Sequence, residues 1–198
     1  MNRGTLRTIG AILAGIVITT AMAAQLPSKD IVLGRKLFML LKPEVTAELK
    51  ITKDQSAKIQ KATGGAATTE GGKVRVKMGP GTDFGKMETE CFAILTSGQR
   101  VRLDEIWIQR NGALAVCDAT LASKVGVSKE QIKKIEAIID DTMHDMMEGA
   151  REGNQIRLTS ESTSSARKTG IKQAAKVLTA DQLKKLDALK GAPFKFND

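Results

Sequence analysis

The side chains able to do chemistry are few. His144 is the only histidine and Cys91 and Cys117 are the only cysteines. On a helix, Asp141-x-x-His144-x-x-x-Glu148 could offer three ligands to a divalent metal. Met143, Met146 and Met147 add a soft-ligand alternative for copper(I). The competing reading is a solvated acidic face above a Met-lined core edge. It is preferred, because a single imidazole with no nearby thiol is a thin ligand set. With one histidine there is one candidate general base, and no catalytic motif surrounds any Ser or Cys. Asp140 and Asp141 are adjacent and face different directions on a helix. The sequence therefore argues against an enzyme, and no cofactor is implied.

The cysteines matter because of where the chain is expected to go. Residues 1–24 have the form of a cleaved signal peptide. Arg3 and Arg7 supply the positive start, Ile9 to Thr20 the apolar run, and Ala21-Met22-Ala23 a small-x-small cleavage site. The run is shorter than the roughly 20 residues of a membrane span, so the alternative of an uncleaved anchor is less favoured. The mature chain is expected to be periplasmic or secreted, with no stable membrane insertion. In an oxidising compartment Cys91 and Cys117 either close a disulfide, contributing about 3 kcal/mol, or pack as two small buried apolar residues.

The formal charge is +9 and falls to +7 once Arg3 and Arg7 leave with the signal. Export disfavours a nucleic-acid partner and leaves envelope polymers, lipid headgroups or acidic unfolded chains. The bland alternative, a solvated surface, fits lysines spread along helices. With five Phe, one Trp and no Tyr, the core must be built from Leu, Ile, Val, Ala and Met.

Four short phrases organise the fold. Ile51-Thr52-x-x-Gln55, Leu95-Thr96-x-x-Gln99, Val127-Ser128-x-x-Gln131 and Leu178-Thr179-x-x-Gln182 each place a hydroxyl three residues before a Gln. That spacing is a helix capping box: the hydroxyl accepts the N3 amide and the Gln reaches back to the cap amide. Around these starts the chain reads as all-α. An entry segment spans 25–42, and Pro43 opens a short helix. Helices then follow Thr52, Thr96, Asp118, Ser128 and Thr179, with others over 86–94 and 166–177. Residues 63–85 are a Gly-rich connector, and Lys73 to Met78, which alternates like a strand, is read as a basic loop because no partner strand is evident. Residues 159–165 are read as a Ser/Thr-rich bend. The helix after Thr96 is apolar on two faces, Leu103, Ile106 and Trp107 on one and Val101 and Ile108 on the other. Such a helix is buried or meets a second copy of the chain.

The phrases also repeat in register. Setting Gln55 on Gln131 aligns residues 41–62 with 117–138; setting Gln99 on Gln182 aligns Leu95, Leu103 and Asp104 with Leu178, Leu186 and Asp187. Two similar halves result, 25–113 and 114–198, each a short helix, a capped helix, a connector and a second capped helix. The first connector is the Gly-rich loop and the second is read as helical. Neither half has an obvious core of its own, so the two are expected to pack as one helical bundle.

The repeated Leu/Ile-Thr-x-x-Gln phrase on an exported, basic, helical chain resembles the LTxxQ-motif family, which includes the Spy and CpxP periplasmic proteins. Carrying four copies, it looks closer to exported bacterial tandem LTxxQ-like proteins. The resemblance implies a chaperone-like or envelope-stress role without catalysis, with unfolded or envelope proteins as partners and a homodimer as the assembly. The alternative function is a periplasmic divalent-metal or copper binding or sensing protein that uses His144.

Overall fold

The helices begin where the hydroxyls are. In the computed structural model, which describes residues 16–18, 28–64, 67–70, 73–76, 82–149, 151–152, 155–158 and 160–196, all four capping boxes are closed. Thr52, Thr96, Ser128 and Thr179 accept from the backbone N–H groups of Gln55, Gln99, Gln131 and Gln182 at 3.1–3.3 Å. The four Gln side chains accept in return from the cap amides at 2.9–3.1 Å. Each box satisfies two donors that a bare helix start would leave open.

In chain order the first half runs β1 (Ile16–Ile18), α1 (Ser28–Val32), α2 (Lys36–Leu40), α3 (Pro43–Glu48), α4 (Lys53–Ala62), β2 (Ala67–Glu70), β3 (Lys73–Val76), α5 (Phe84–Ile94) and α6 (Ser97–Asn111). A 3₁₀ segment (Gly112–Cys117) joins it to α7 (Ala119–Val125), α8 (Lys129–Gly149), β4 (Arg151–Glu152), β5 (Gln155–Leu158), α9 (Ser160–Val177) and α10 (Ala180–Ala188). The fold is the expected all-α bundle. Asp83 and Asp118 cap α5 and α7, accepting from Lys86 and Leu121 at 2.9 and 3.0 Å.

The duplication is visible as matched parts. Helix α4 packs on α5, as α8 packs on α9. Ahead of each, a short helix ends in a left-handed residue, Lys50 at φ 51° and Gly126 at φ 78°. The amide of Ile51 then reaches back to Thr46 O (3.0 Å), and that of Val127 to Ala122 O (2.9 Å). These are paired Schellman closures at aligned positions.

Both connectors depart from expectation. Lys73–Val76 is not a lone basic loop but pairs antiparallel with Ala67–Glu70, in register from Ala67 opposite Val76 to Glu70 opposite Lys73. The partner was hidden in the Gly/Thr-rich stretch, where Gly71-Gly72 gives the two-residue spacing hairpins favour. The second connector is not helical throughout, since β4 pairs with β5. Ile16–Ile18 adds to the other edge of β5; the rest of the expected signal segment lies outside the described residues. Helix α9 starts at Ser160, through the expected bend. Ser and Thr weaken isolated helices by bonding their own backbone, but packing along α8 overrides that local preference.

One buried cluster takes in both halves. At its centre Ala113, Leu114, Ala115, Val116 and Cys117 are all buried, and their 3₁₀ segment meets α6, α7, α8, α9 and α10. The entry segment, assigned by position to the first half, also bridges: α1 packs on α8, and Arg167 of α9 donates to Val32 O at 2.9 Å. Helix α8 buries Ile135, Ile139, Thr142 and Met146. Thr142 thus stands in an otherwise aliphatic stripe, with its neighbour Met143 half-buried beside it. Gly170 explains it: a side chain there would collide with the Thr142 hydroxyl, so α8 and α9 meet closely at a Thr–Gly contact.

Candidate functional site

The expected metal ligands are not gathered. Asp141, His144 and Glu148 are all exposed on α8, and no cluster of three His, Cys, Asp or Glu residues suited to a metal occurs among the described residues. The methionine alternative fares no better: Met146 is fully buried, and Met143 and Met147 pack against the core.

The disulfide is not formed. Cys91 and Cys117 are buried free thiols. Cys91 lies on α5, whose main neighbours are α4 and α2, whereas Cys117 closes the 3₁₀ segment among α6 to α10. Burial, reinforced by nearby carboxylates, pushes each thiol up to about 11. Both are protonated at neutral pH, so neither is a nucleophile there.

The capping glutamines do more than cap. Gln55 donates to the Gln99 side-chain oxygen at 2.8 Å, and Gln99 donates back at 3.1 Å. Gln131 and Gln182 repeat this at 2.8 and 2.9 Å. The second amide hydrogen of each reaches a main-chain carbonyl before the partner's cap: Ile94 and Leu49 in one pair, Val177 and Gly126 in the other, at 2.7–3.1 Å. All four amides thereby use both donors and both acceptor positions. Residues aligned by the duplication, Gln55 with Gln131 and Gln99 with Gln182, are not the ones that pair. Each half has its own lock, and the locks set the starts of α6 and α10.

Those two helices carry the surface features. The first is a cleft of about 240 Å³ lined by Lys29, Arg35, Lys36, Glu88, Trp107 and Asp118, among others. Its cations are already engaged. Arg35 meets Asp30 at 2.6 Å, and Lys36 meets Asp104 at 2.6 Å and Asp118 at 3.8 Å with its ammonium 4.9 Å from the Trp107 ring centre. Lys29 donates to Cys117 O at 3.0 Å. Glu88 accepts the Leu37 amide at 3.2 Å; burial holds its carboxyl above the ordinary 4.5, against the opposing pull of that bond and of Arg35 and Lys36. The cleft is smaller than the usual 300–1,000 Å³ of ligand pockets and neutralised from within. It ties the entry segment to α6.

The second feature is a groove of about 380 Å³ with an apolar floor of Ala113, Ile171, Ala175, Leu183 and Leu186. Gly112, Lys184, Asp187 and Lys190 complete it. Lys190 bonds Asp187 at 2.9 Å across a single helical turn. Beyond Lys190 the chain crosses α6 as a C-terminal tail, held by Gln109 and Arg102. The sequence pointed to neither groove nor tail site, because both join residues about sixty to ninety positions apart. The available signals were Gln109, directly after the apolar run Ile106-Trp107-Ile108, and the two Phe of Gly-Ala-Pro-Phe-Lys-Phe near the C-terminus. Among the described residues no helix is long and apolar enough to cross a membrane. No protein-family model, curated protein or solved structure matches the chain.

Proposed function

We propose that the chain is a non-catalytic, exported binding protein that holds segments of unfolded polypeptide, in the chaperone-like manner of the LTxxQ-motif proteins it resembles. The observation that supports this most is the groove over the 3₁₀ segment. An apolar floor from both α9 and α10 accepts an aliphatic or aromatic side chain, and Lys184 beside it favours an acidic neighbour on the same client. The net charge, +9 on the full chain and +7 once Arg3 and Arg7 leave with the signal, works in the same direction at longer range. No comparable arrangement supports the metal reading through His144, whose candidate co-ligands are dispersed on an exposed face.

The test is aggregation of an acidic, reductively unfolded client followed by light scattering, with no nucleotide present. The mature protein at equimolar ratio should suppress scattering, and Leu183→Asp, which puts a charge on the groove floor, should lose the effect. Raised salt should weaken suppression without abolishing it. Scattering unchanged by the wild-type protein refutes the reading.

A further inference from the structure

The C-terminal tail is held as a bent peptide, and the bonds that hold it engage its main chain. Gln109 donates to the carbonyls of Lys190 and Ala192 at 2.5 and 2.8 Å and accepts the Phe194 amide at 2.8 Å. Arg102 adds a 2.8 Å bond to Ala192 O, braced by Glu48 at 2.8 Å and Glu105 at 2.7 Å. Of the tail's side chains, the two Phe are engaged. Phe194 and Phe196 meet edge to face at 4.9 Å and pack against the core, and the Arg110 guanidinium lies over Phe196, 5.5 Å from its ring centre. Ala192, Pro193 and Lys195 are exposed. Gly191 turns the chain onto this face at φ 62°, where a side chain would collide with Glu105.

Main-chain bonds carry no information about which chain supplies them. We infer that the α6 face made by Arg102, Gln109 and Arg110 is a binding site for peptide segments bearing two aromatic residues separated by one position, and that the protein's own tail occupies it as a tethered competitor. The inference rests on the proposed polypeptide-binding function and names a site for it. A tether supplies an effective concentration on the order of millimolar, so a free peptide must outcompete the tail before it binds.

The probe is a fluorescent peptide with the sequence of residues 190–196, titrated into full-length protein and read by anisotropy. Phe194→Ala/Phe196→Ala, which weakens the tail, should bind it about tenfold more tightly than wild type, and adding Gln109→Ala should abolish binding. In the wild-type protein, saturating unlabelled peptide should speed hydrogen exchange at the Phe194 amide, which needs no variant to fold. Equal affinity for wild type and a cooperatively melting double variant, or exchange unaffected by peptide, overturns the inference. Aggregation suppression without peptide binding defeats this site alone. Peptide binding without suppression defeats the proposed function and leaves the site standing.

Discussion

The side-chain amides of Gln55 and Gln99, forty-four residues apart, bond each other twice, at 2.8 and 3.1 Å. This reciprocity explains why each capping phrase ends in Gln. A capping box works equally with Glu, which also suits the positive end of the helix dipole. Glu has no hydrogen to donate, so it would strip one of the two bonds from the partner's oxygen, remove the bond to a main-chain carbonyl and add a charge to a half-buried pair. What looks like four independent helix starts is two cross-helix locks. One sits under α6 and the tail site, the other under α10 and the groove.

The Schellman closures differ at one position. Lys50 holds φ 51°, where its aligned counterpart is Gly126. A non-glycine residue in this region is disfavoured by roughly 1–2 kcal/mol, partly offset by the greater freedom glycine gives the unfolded chain. Lys50→Gly should therefore raise the urea midpoint by the equivalent of about 0.5 kcal/mol, and Gly126→Ala should lower it by about 1 kcal/mol. A lower midpoint for Lys50→Gly contradicts the assignment.

Gly170 is a packing residue. Gly170→Ala places a methyl against the Thr142 hydroxyl and should destabilise the protein by about 1–3 kcal/mol despite alanine's better helix propensity. Thr142→Ala in the same chain should recover part of that loss, a coupling readable in a double-mutant cycle. Additive effects would separate the two residues.

The thiols give a count. With both at about 11 and buried, Cys91 and Cys117 should resist a thiol reagent at pH 8 in the native protein and both should react once it is unfolded without reductant. An unfolded, unreduced sample yielding no thiol would establish the disulfide.

Glu88 gives a pH dependence. Its carboxyl is raised above the ordinary 4.5, chiefly by burial, so folding favours the protonated form. The stability it contributes is complete below the unfolded value near 4.5 and declines as pH rises through the folded value. Glu88→Gln keeps an acceptor for the Leu37 amide and cannot ionise. Its melting temperature relative to wild type should be higher at pH 7 than at pH 4. A constant difference would show that burial does not shift this group.

Helix starts and the repeat were legible because they are local: a hydroxyl, a Gln and flanking apolar residues within a few positions. The buried 3₁₀ segment left a trace in the unbroken run Ala113 to Cys117, but a run of five apolar residues fits many conformations. Thr142 escaped notice because its burial depends on Gly170, on another helix. The Gln pairs, the Gln109 clamp and the groove join distant parts of the chain, and no period or spacing within either part records which residues will meet. The second β-ribbon was obscured for a related reason, since two paired residues on one strand leave almost no alternation to read.

The most direct test of the double lock is Gln182→Glu, because Gln182 is the most enclosed of the four, 8% exposed. Urea unfolding at pH 7, beside wild type, is the measurement. If the amides are locked in pairs, the variant should lose roughly 2–4 kcal/mol, from two lost donor bonds at a buried site. If Gln182 only caps its own helix, Glu will serve as well, and a midpoint equal to or above wild type would contradict the account.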